Sequence, residues 1–299
     1  MRLLRIIILL LFITAVTYTL FELQRQSQSE SDVLRLTMCD VGQGDALLIQ
    51  WQDTQVLVDA GRGEKVLQCL WSELPIFDHT LELVVATHPD SDHIGGLPLV
   101  FDQFSIRSLL LPPITRKTAD FAAFHESILR ESELIGHVTI AKRGQKISLS
   151  DEITLTVLSP LESSAETVLS AEEGYFPVKD GESNNWSIVL LLEYRHFSAL
   201  LTADAETPIE LALIQAGLVN DIDVLKVGHH GSKSSTTDAL LDKATPETSL
   251  ISVGKNNPYG HPNEVVLDRL RSRGVKVLRS DELGAVHIES DGDKYWIAQ

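Results

Sequence analysis

A run that is apolar apart from Glu82 and its last residue, Leu81–Thr87, ends directly in His88-Pro89-Asp90-Ser91-Asp92-His93-Ile94-Gly95-Gly96. Such a near-continuous apolar run reads as a strand buried inside a layered fold rather than lying on its surface. The end of such a strand is rigid, so two imidazoles and two carboxylates in one short loop can be aimed at one point. His and carboxylate are ordinary ligands for divalent metals. The spacing directs His88 and Asp90 toward one ion and Asp92 and His93 toward a second. A solvated polar turn is the plainer alternative, and the density of ligand types argues against it.

Two later strands end in the same kind of chemistry. Leu200-Leu201-Thr202-Ala203-Asp204 closes on a carboxylate suited to bridging two ions or to capping the helix that follows. Asp223-Val224-Leu225-Lys226-Val227-Gly228-His229-His230-Gly231-Ser232 closes on a His pair beside glycines, which suits a ligand loop better than a core.

The elements between these points alternate in a regular way. Strands are expected at Leu34–Asp40, Ala46–Trp51 and Gln55–Asp59, separated by Gly- and Asp-containing turns. Glu64–Leu74 has helical spacing of Val66, Leu67, Leu70 and Leu74. A helix at Leu97–Phe104, a strand at Ser108–Leu111 and a helix at Asp120–Glu133 follow, then strands at Val138–Ala141, Lys146–Leu149 and Ile153–Leu158. Ser159 to Asn185, rich in Ser, Glu and Gly, reads as an irregular insertion. Strands resume at Trp186–Glu193 and Ser198–Thr202. Helices (Pro208–Ala216, Thr237–Lys243, Asn263–Ser272) then alternate with strands (Asp223–Val227, Thr248–Ser252, Val275–Leu278), and the chain closes on strands Gly284–Ser290 and Lys294–Ile297. The strand-then-mixed pattern occurs twice, which fits two packed sheets with helices outside.

Taken together, these motifs resemble the metallo-β-lactamase superfamily. His88-x-Asp90-x-Asp92-His93 is similar to that family's His-x-His-x-Asp-His signature. Asp59 in Leu57-Val58-Asp59-Ala60-Gly61 matches its early Asp, which orients the metal loop, Asp204 its bridging Asp and His229 its late His. Finer features resemble the ComEC branch of DNA-uptake proteins: Asp40-Val41-Gly42-Gln43-Gly44-Asp45-Ala46, Asn184-Asn185-Trp186-Ser187, Lys226–Lys233, and Asn257-Pro258-Tyr259-Gly260-His261-Pro262. The likeness spans Leu34 to Gln299. It implies an α/β (α+β), four-layer αββα sandwich with the site at one edge. It also implies a metal set of His88, Asp90, Asp92, His93, Asp204 and His229, with Asp92, His93 and Asp204 carrying catalysis.

Two departures bear on the metal. Asp90 stands where the signature has its second His, and Asn or Ser stands where a middle His is expected before the Trp186 strand. Both make the site more oxygen-rich and shift its preference from Zn²⁺ toward Mn²⁺ or Mg²⁺, as one or two ions. The resemblance implies phosphodiesters as substrate, with single-stranded DNA the sharpest form. Ester, lactone or amide hydrolysis and a non-catalytic metal-binding module on a membrane are the alternatives. The long membrane channel of full ComEC proteins has no counterpart in residues 34–299, so this domain is not expected to form a DNA channel by itself.

Other residues carry two readings each. Asp45 supports the metals or holds a turn. His230 supports its neighbour. Lys226 and Lys233 flank the His loop and either meet a phosphate or are exposed lysines without a role. Ser232 and the residues after it either donate to phosphate or cap the next helix. His261 either touches the leaving group or merely turns the chain.

A net charge of −17 counts against broad, unspecific DNA binding but not against a local phosphate site. Arg2 and Arg5 before the apolar Ile6–Leu20 predict a single-pass signal anchor over residues 1–23 with the domain facing the periplasm or exterior, or secreted if cleaved. Residues 24–33 then read as a linker and 34–299 as the domain. The two cysteines, Cys39 and Cys69, are too few for a thiolate zinc site. They are expected to be two small buried residues, with one disulfide the alternative in an oxidising compartment.

Overall fold

The computed structural model describes Tyr18 and residues 32–160, 176–177 and 182–298. Apart from Tyr18, the expected anchor lies outside the described residues, as does most of the linker and of the 159–185 insertion. Among the described residues no helix is long and apolar enough to cross a membrane.

In chain order, β1 (Leu34–Met38), β2 (Leu47–Trp51) and β3 (Thr54–Val58) form a meander, and β4 (Thr80–Leu81) precedes β5 (Leu83–Val85). Then come β6 (Ser105–Ile106), β7 (Ser108–Leu111), β8 (Ile114–Thr115), β9 (His137–Ile140), β10 (Lys146–Ser148), β11 (Ile153–Ser159) and β12 (Phe176–Pro177). The rest are β13 (Val189–Tyr194), β14 (Phe197–Leu201), β15 (Val224–Lys226), β16 (Thr248–Ile251), β17 (Lys276–Arg279), β18 (Val286–Ser290) and β19 (Tyr295–Ala298). One sheet has the order β19-β18-β1-β2-β3-β5-β7-β9, the other β10-β11-β13-β14-β15-β16-β17. β4 pairs with β6 and β8 with β12 in two small ribbons.

Side-chain alternation along the strands sorts the core into layers. In β2, Leu47, Ile49 and Trp51 enter the apolar layer between the sheets, while Leu48 points outward under helices. In β14, Ala199 and Leu201 enter the same inter-sheet layer, and Leu200 packs outward. Helices Lys65–Glu73, Leu97–Gln103 and Ala119–Arg130 cover the first sheet through Val66, Leu70, Leu97, Val100 and Phe124. Helices Thr207–Gln215, Asp238–Ala244 and Glu264–Ser272 cover the second through Leu213, Leu240, Leu241, Val266 and Leu270. Three apolar layers therefore separate four structural ones, the αββα arrangement the motifs imply.

Parallel pairing places the chemistry. β3, β5 and β7 run parallel, as do β14, β15 and β16. Val58 lies opposite Val85, and Leu201 opposite Lys226, so neighbouring strands end side by side. Asp59, the His88 loop, Asp204 and the His229–His230 turn all follow such ends. Convergence at the carboxyl edges of parallel strands is the usual place for a site in α/β folds.

The expectation of two separate cysteines is corrected by the structure. Cys39, just past β1, is bonded to Cys69 of helix Lys65–Glu73, with Cα atoms 5.9 Å apart. Sequence could not show this, because the turn chemistry between them does not reveal that the helix folds back over β1. The bridge ties the first covering helix to the sheet. Cys69→Ser is expected to cost ~2–4 kcal/mol of stability. That corresponds to a fall in Tm of ~5–15 °C for a domain of this size. Calorimetry of both forms checks this, and an unchanged Tm refutes it.

Candidate metal centre

The loop after β5 is not a bare turn. Ser91–Ile94 forms one helical turn, so Asp92 and His93 project from a fixed backbone. Asp59 holds that loop in place: it accepts from Thr87 N (2.8 Å), Thr87 Oγ1 (2.7 Å) and His93 Nδ1 (2.7 Å). Gly44 packs so closely against it that an added Cβ would stand 2.2 Å from the Asp92 carbonyl oxygen. Asp45 N then donates to that carbonyl at 3.1 Å.

Three buried imidazoles share one arrangement. Each has its Nδ1 engaged: His88 with Thr87 Oγ1 (3.1 Å), His93 with Asp59, and His230 with the Ser252 carbonyl (2.9 Å). Each leaves its Nε2 buried and without a hydrogen-bond partner, and Asp204 Oδ1 is unpartnered beside them. Buried polar atoms are seldom left so. Imidazoles oriented through one nitrogen and open at the other are what a metal site requires.

Asp204 divides this set in two. Its Oδ1 lies 3.2 Å from His93 Nε2 and 3.6 Å from His230 Nε2, and His230 Nε2 is 3.4 Å from Asp92 Oδ2. Its Oδ2 lies 3.9 Å from His88 Nε2 and 3.6 Å from His229 Nε2. Asp90 stands at the outer side, 4.0 Å from His88 Nε2, with its other oxygen bonded by Arg116 at 2.5 Å. The donor chemistry therefore fits an inner ion among Asp92, His93, His230 and Asp204. An outer ion would fall among His88, Asp204 and the half-buried Asp90 and His229.

The two adjacent histidines sit in different surroundings. His230, expected to support its neighbour, is itself buried and belongs to two of the donor groups. His229, expected as a ligand, is half-buried, and Glu206 holds its Nδ1 at 3.0 Å. Asn184 and Ser234 also reach Glu206 Oε1, at 3.4 and 3.0 Å. Lys226 is not at the surface. It is fully buried and pairs with Asp45 at 2.7 Å, so it faces no substrate. Asp45 in turn lies 3.2 Å from His230 Nδ1, beneath the cluster. Ser232 Oγ is hydrogen-bonded with Ser234 Oγ (2.9 Å) within its own loop, and Thr237 rather than any of these serines caps the next helix. Lys233 is exposed. His261 packs edge-on against His229, with ring centres 5.7 Å apart.

Arg116, Glu206 and the Ser252 carbonyl had no signal in the sequence beyond Glu206's place two residues after Asp204. Backbone geometry was equally hidden. Asp59, Ala203, His229 and His230 all have φ between 47° and 59°, in the left-handed region. Each such residue costs on the order of 1–3 kcal/mol and is held by its surroundings, a pattern common at functional sites.

Charge in the metal-free cluster follows burial and pairing. Burial drives the His230 imidazole down, but Asp204 and Asp45 overcome it and hold its pKa at about 10. Against the same burial, Asp204 and Asp59 raise His93 well above 6.5. Burial and the neighbouring His93 depress His88. Burial and then His229 and His230 depress His261. Burial raises the Asp92 carboxyl, yet His230 and His93 hold its pKa at about 2, and Asp204 is driven well below 3.8 in the same way.

The signs give a stability profile for the metal-free protein. The raised His93 and His230 contribute fully below pH 6.5; the His230 contribution is lost as pH rises through about 10, and that of His93 is lost as pH rises through its own raised pKa. The depressed Asp92 and Asp204 contribute above pH 3.8; the Asp92 contribution is lost as pH falls through about 2, and that of Asp204 is lost as pH falls through its own depressed pKa. The depressed His88 and His261 lower stability progressively below pH 6.5. Denaturant unfolding in chelator should therefore be most resistant near pH 6.5, and a profile flat from pH 4 to pH 10 overturns this charge assignment.

The profile of the metallo-beta-lactamase superfamily matches residues 39–255. The chain belongs to that superfamily. It is 32% identical to the ComE operon protein 3 of Bacillus subtilis (strain 168) over 83% of this chain and 32% of that protein. It is 30% identical to the Recombination protein 2 of Haemophilus influenzae over 87% of this chain and 29% of that one. It is 28% identical to the Competence protein ComA of Neisseria gonorrhoeae over 85% of this chain and 32% of that one. The chain thus spans about a third of the length of these relatives. Among solved structures, the metallo-beta-lactamase fold protein YhfI from Bacillus subtilis superposes with a TM-score of 0.50 at 16% identity, covering 87% of this chain and all of that one. Zn(2+)-bound PqqB from Methylobacterium extorquens superposes with a TM-score of 0.51 at 10% identity, covering 79% and 85%. These two show the fold. Membership of the superfamily, with the His/Asp groups in place, supports a metal-dependent hydrolase.

Proposed function

We propose that this superfamily member is a phosphodiesterase acting on DNA, with single-stranded DNA the favoured form. The observation that carries the reading is the split of Asp204 between two donor sets, the outer one offering Asp90 where an imidazole would suit zinc. An oxygen-rich pair of positions bridged by one carboxylate suits Mn²⁺ or Mg²⁺ and displacement at phosphorus. The names of the relatives, which concern competence and recombination, support a DNA-related substrate. Bound divalent ions supply acidification of water and neutralisation of charge on the phosphate. The chain's own part is to hold those ions through His88, Asp90, Asp92, His93, Asp204, His229 and His230. Asp59 and Asp45 fix the imidazoles, and Glu206 holds the His229 ring at the outer side. Lys233 stands exposed next to the His loop and offers a cation to a phosphate on an otherwise acidic protein.

The test is turnover by purified protein, stripped and then reloaded with Mn²⁺, Mg²⁺ or Zn²⁺, on single-stranded DNA, duplex DNA and a small phosphodiester. Bound metal without turnover of any of the three sinks the reading. We also infer an N-in anchor with the domain outside the cytoplasm. Arg2 and Arg5 before the apolar run motivate it, and the Cys39–Cys69 bridge is the chemistry of an oxidising compartment. A reporter fused after Gln299 should be active only outside, and activity of that fusion in the cytoplasm refutes the orientation.

A further inference from the structure

The loop Gly254–Pro262 lies over the outer side of the metal centre and carries an aromatic residue that the hydrolytic chemistry leaves unused. Tyr259 is 66% exposed. Its ring stacks on His261, with centres 6.0 Å apart and planes within 19°. His261 in turn meets His229 edge-on, and His229 Nε2 is 3.6 Å from Asp204. Two ring contacts thus connect the exposed phenol to the bridging carboxylate.

The loop holds this stack rigidly. Asn257 Nδ2 donates to the carbonyls of Gly254 (3.0 Å) and His261 (2.6 Å). Asn257 Oδ1 accepts from the backbone of Tyr259 (3.2 Å) and His261 (3.0 Å). Asn263 N bonds the Gly231 carbonyl at 2.8 Å, and a Cβ on Gly231 would stand 2.6 Å from Pro262. The loop is therefore packed directly against the His229–His230 turn. His261 Nδ1 is buried without a hydrogen-bond partner, so polar bonding does not draw its ring away from the stack.

Resting on the phosphodiesterase reading, we propose that the Tyr259–His261 pair is a stacking platform for an unpaired nucleobase of the strand whose phosphate meets the metal centre. A flat, pre-ordered aromatic pair offers its outer face to any base without reading sequence. Lys255 on the same loop and Lys233 beside the His turn are exposed cations for the adjoining phosphates. A duplex keeps its bases stacked on one another and cannot use the platform, which makes single-stranded DNA the preferred substrate. The overall charge of −17 makes a neutral π contact more useful here than on a basic protein.

The experiment measures binding, so it does not depend on turnover. Full-length protein carrying Asp92→Asn is titrated into labelled oligothymidylate, an abasic strand of equal length, and a β-linked glycan. Each is compared in the Tyr259, Tyr259→Phe and Tyr259→Ala backgrounds. Tyr259→Ala is expected to weaken oligothymidylate binding about 10–100-fold, with Tyr259→Phe within about threefold, and neither should change binding of the abasic strand. Equal affinities in all three backgrounds overturn the platform. So does an equal loss on the abasic strand, which would make Tyr259 a backbone or loop contact. A Tyr259-dependent affinity for the glycan but not for DNA assigns the platform to sugar rings and overturns it as well. Base-dependent binding without cleavage by the unmutated protein leaves the platform standing while the phosphodiesterase falls. Cleavage indifferent to Tyr259 does the reverse.

Discussion

Asp92→Asn is expected to lower phosphodiester hydrolysis by about a thousandfold or more while the domain stays folded. The Asp92 side chain is 32% exposed and lies 3.4 Å from His230 Nε2, at the solvent side of the inner donor set. Asn keeps its size and one oxygen but removes the charge. Removing one charge that stabilises the transition state costs several kcal/mol, which is the origin of the thousandfold figure. The core is untouched, because the loop stays anchored by Asp59 to Thr87 and His93. In metal-free protein His230 keeps Asp45 and Asp204 as partners, so the Tm of the stripped variant should lie within a few degrees of the parent. The decisive comparison is kcat/KM with Mn²⁺ together with the number of ions bound per chain. Equal activity in the two proteins removes Asp92 from the catalytic set, and a variant that fails to fold shows the loop carboxylate to be structural.

Lys226→Met is expected to be the most destabilising single change at the site, by ~3–5 kcal/mol. Lys226 is fully buried on β15, and its ammonium reaches Asp45 at 2.7 Å and the Val227 carbonyl at 3.0 Å. Removing it leaves the Asp45 carboxylate buried, with His230 at 3.2 Å and the neighbouring His93 to balance it. A loss of that size lowers Tm by roughly 10–15 °C in a domain of this length. Asp45→Asn together with Lys226→Met removes both charges, so the double variant should recover part of what the single one loses. Thermal unfolding of the three variants without metal decides the matter. A Lys226→Met protein as stable as the parent shows that the pair carries no net stability. A double variant below both single ones shows the site to need the charges for reasons other than their mutual attraction.

Much of this architecture was legible in the chain because periodicity reports burial directly. The expected strand Ser108–Leu111 is the observed β7, and Asn263–Ser272 differs from the helix Glu264–Ser272 by its capping residue alone. Which face of β2 and β14 meets the partner sheet was not legible, because the outward-packing Leu48 and Leu200 are as apolar as the inward-facing Leu47 and Leu201. The run Leu81–Thr87 divides into β4 and β5 rather than one strand, because Leu81 pairs with Ile106 of β6 whereas Leu83 pairs with Val56 of β3, with Glu82 between them. The Ser91–Ile94 turn was also hidden, since four residues are too few to establish a helical period.

At the site, the ligand types and their strand-end positions were determined by the sequence, as was the place of Asp59 ahead of the metal loop. Tertiary structure decided which atoms meet. His229 and His230 are adjacent and chemically identical, and only their left-handed backbone turns one into the buried cluster and the other toward Glu206 and His261. Lys226 reads as a surface cation in a loop motif, yet the third position of a central strand places it where water is excluded and Asp45, far away in the chain, is its partner. Cys39 and Cys69 are two ordinary residues until helix Lys65–Glu73 folds over β1 and brings their Cα atoms to 5.9 Å. Composition and period constrain one residue at a time. Pairing across the two sheets depends on where distant strand ends meet, and that exists only once the layers have packed.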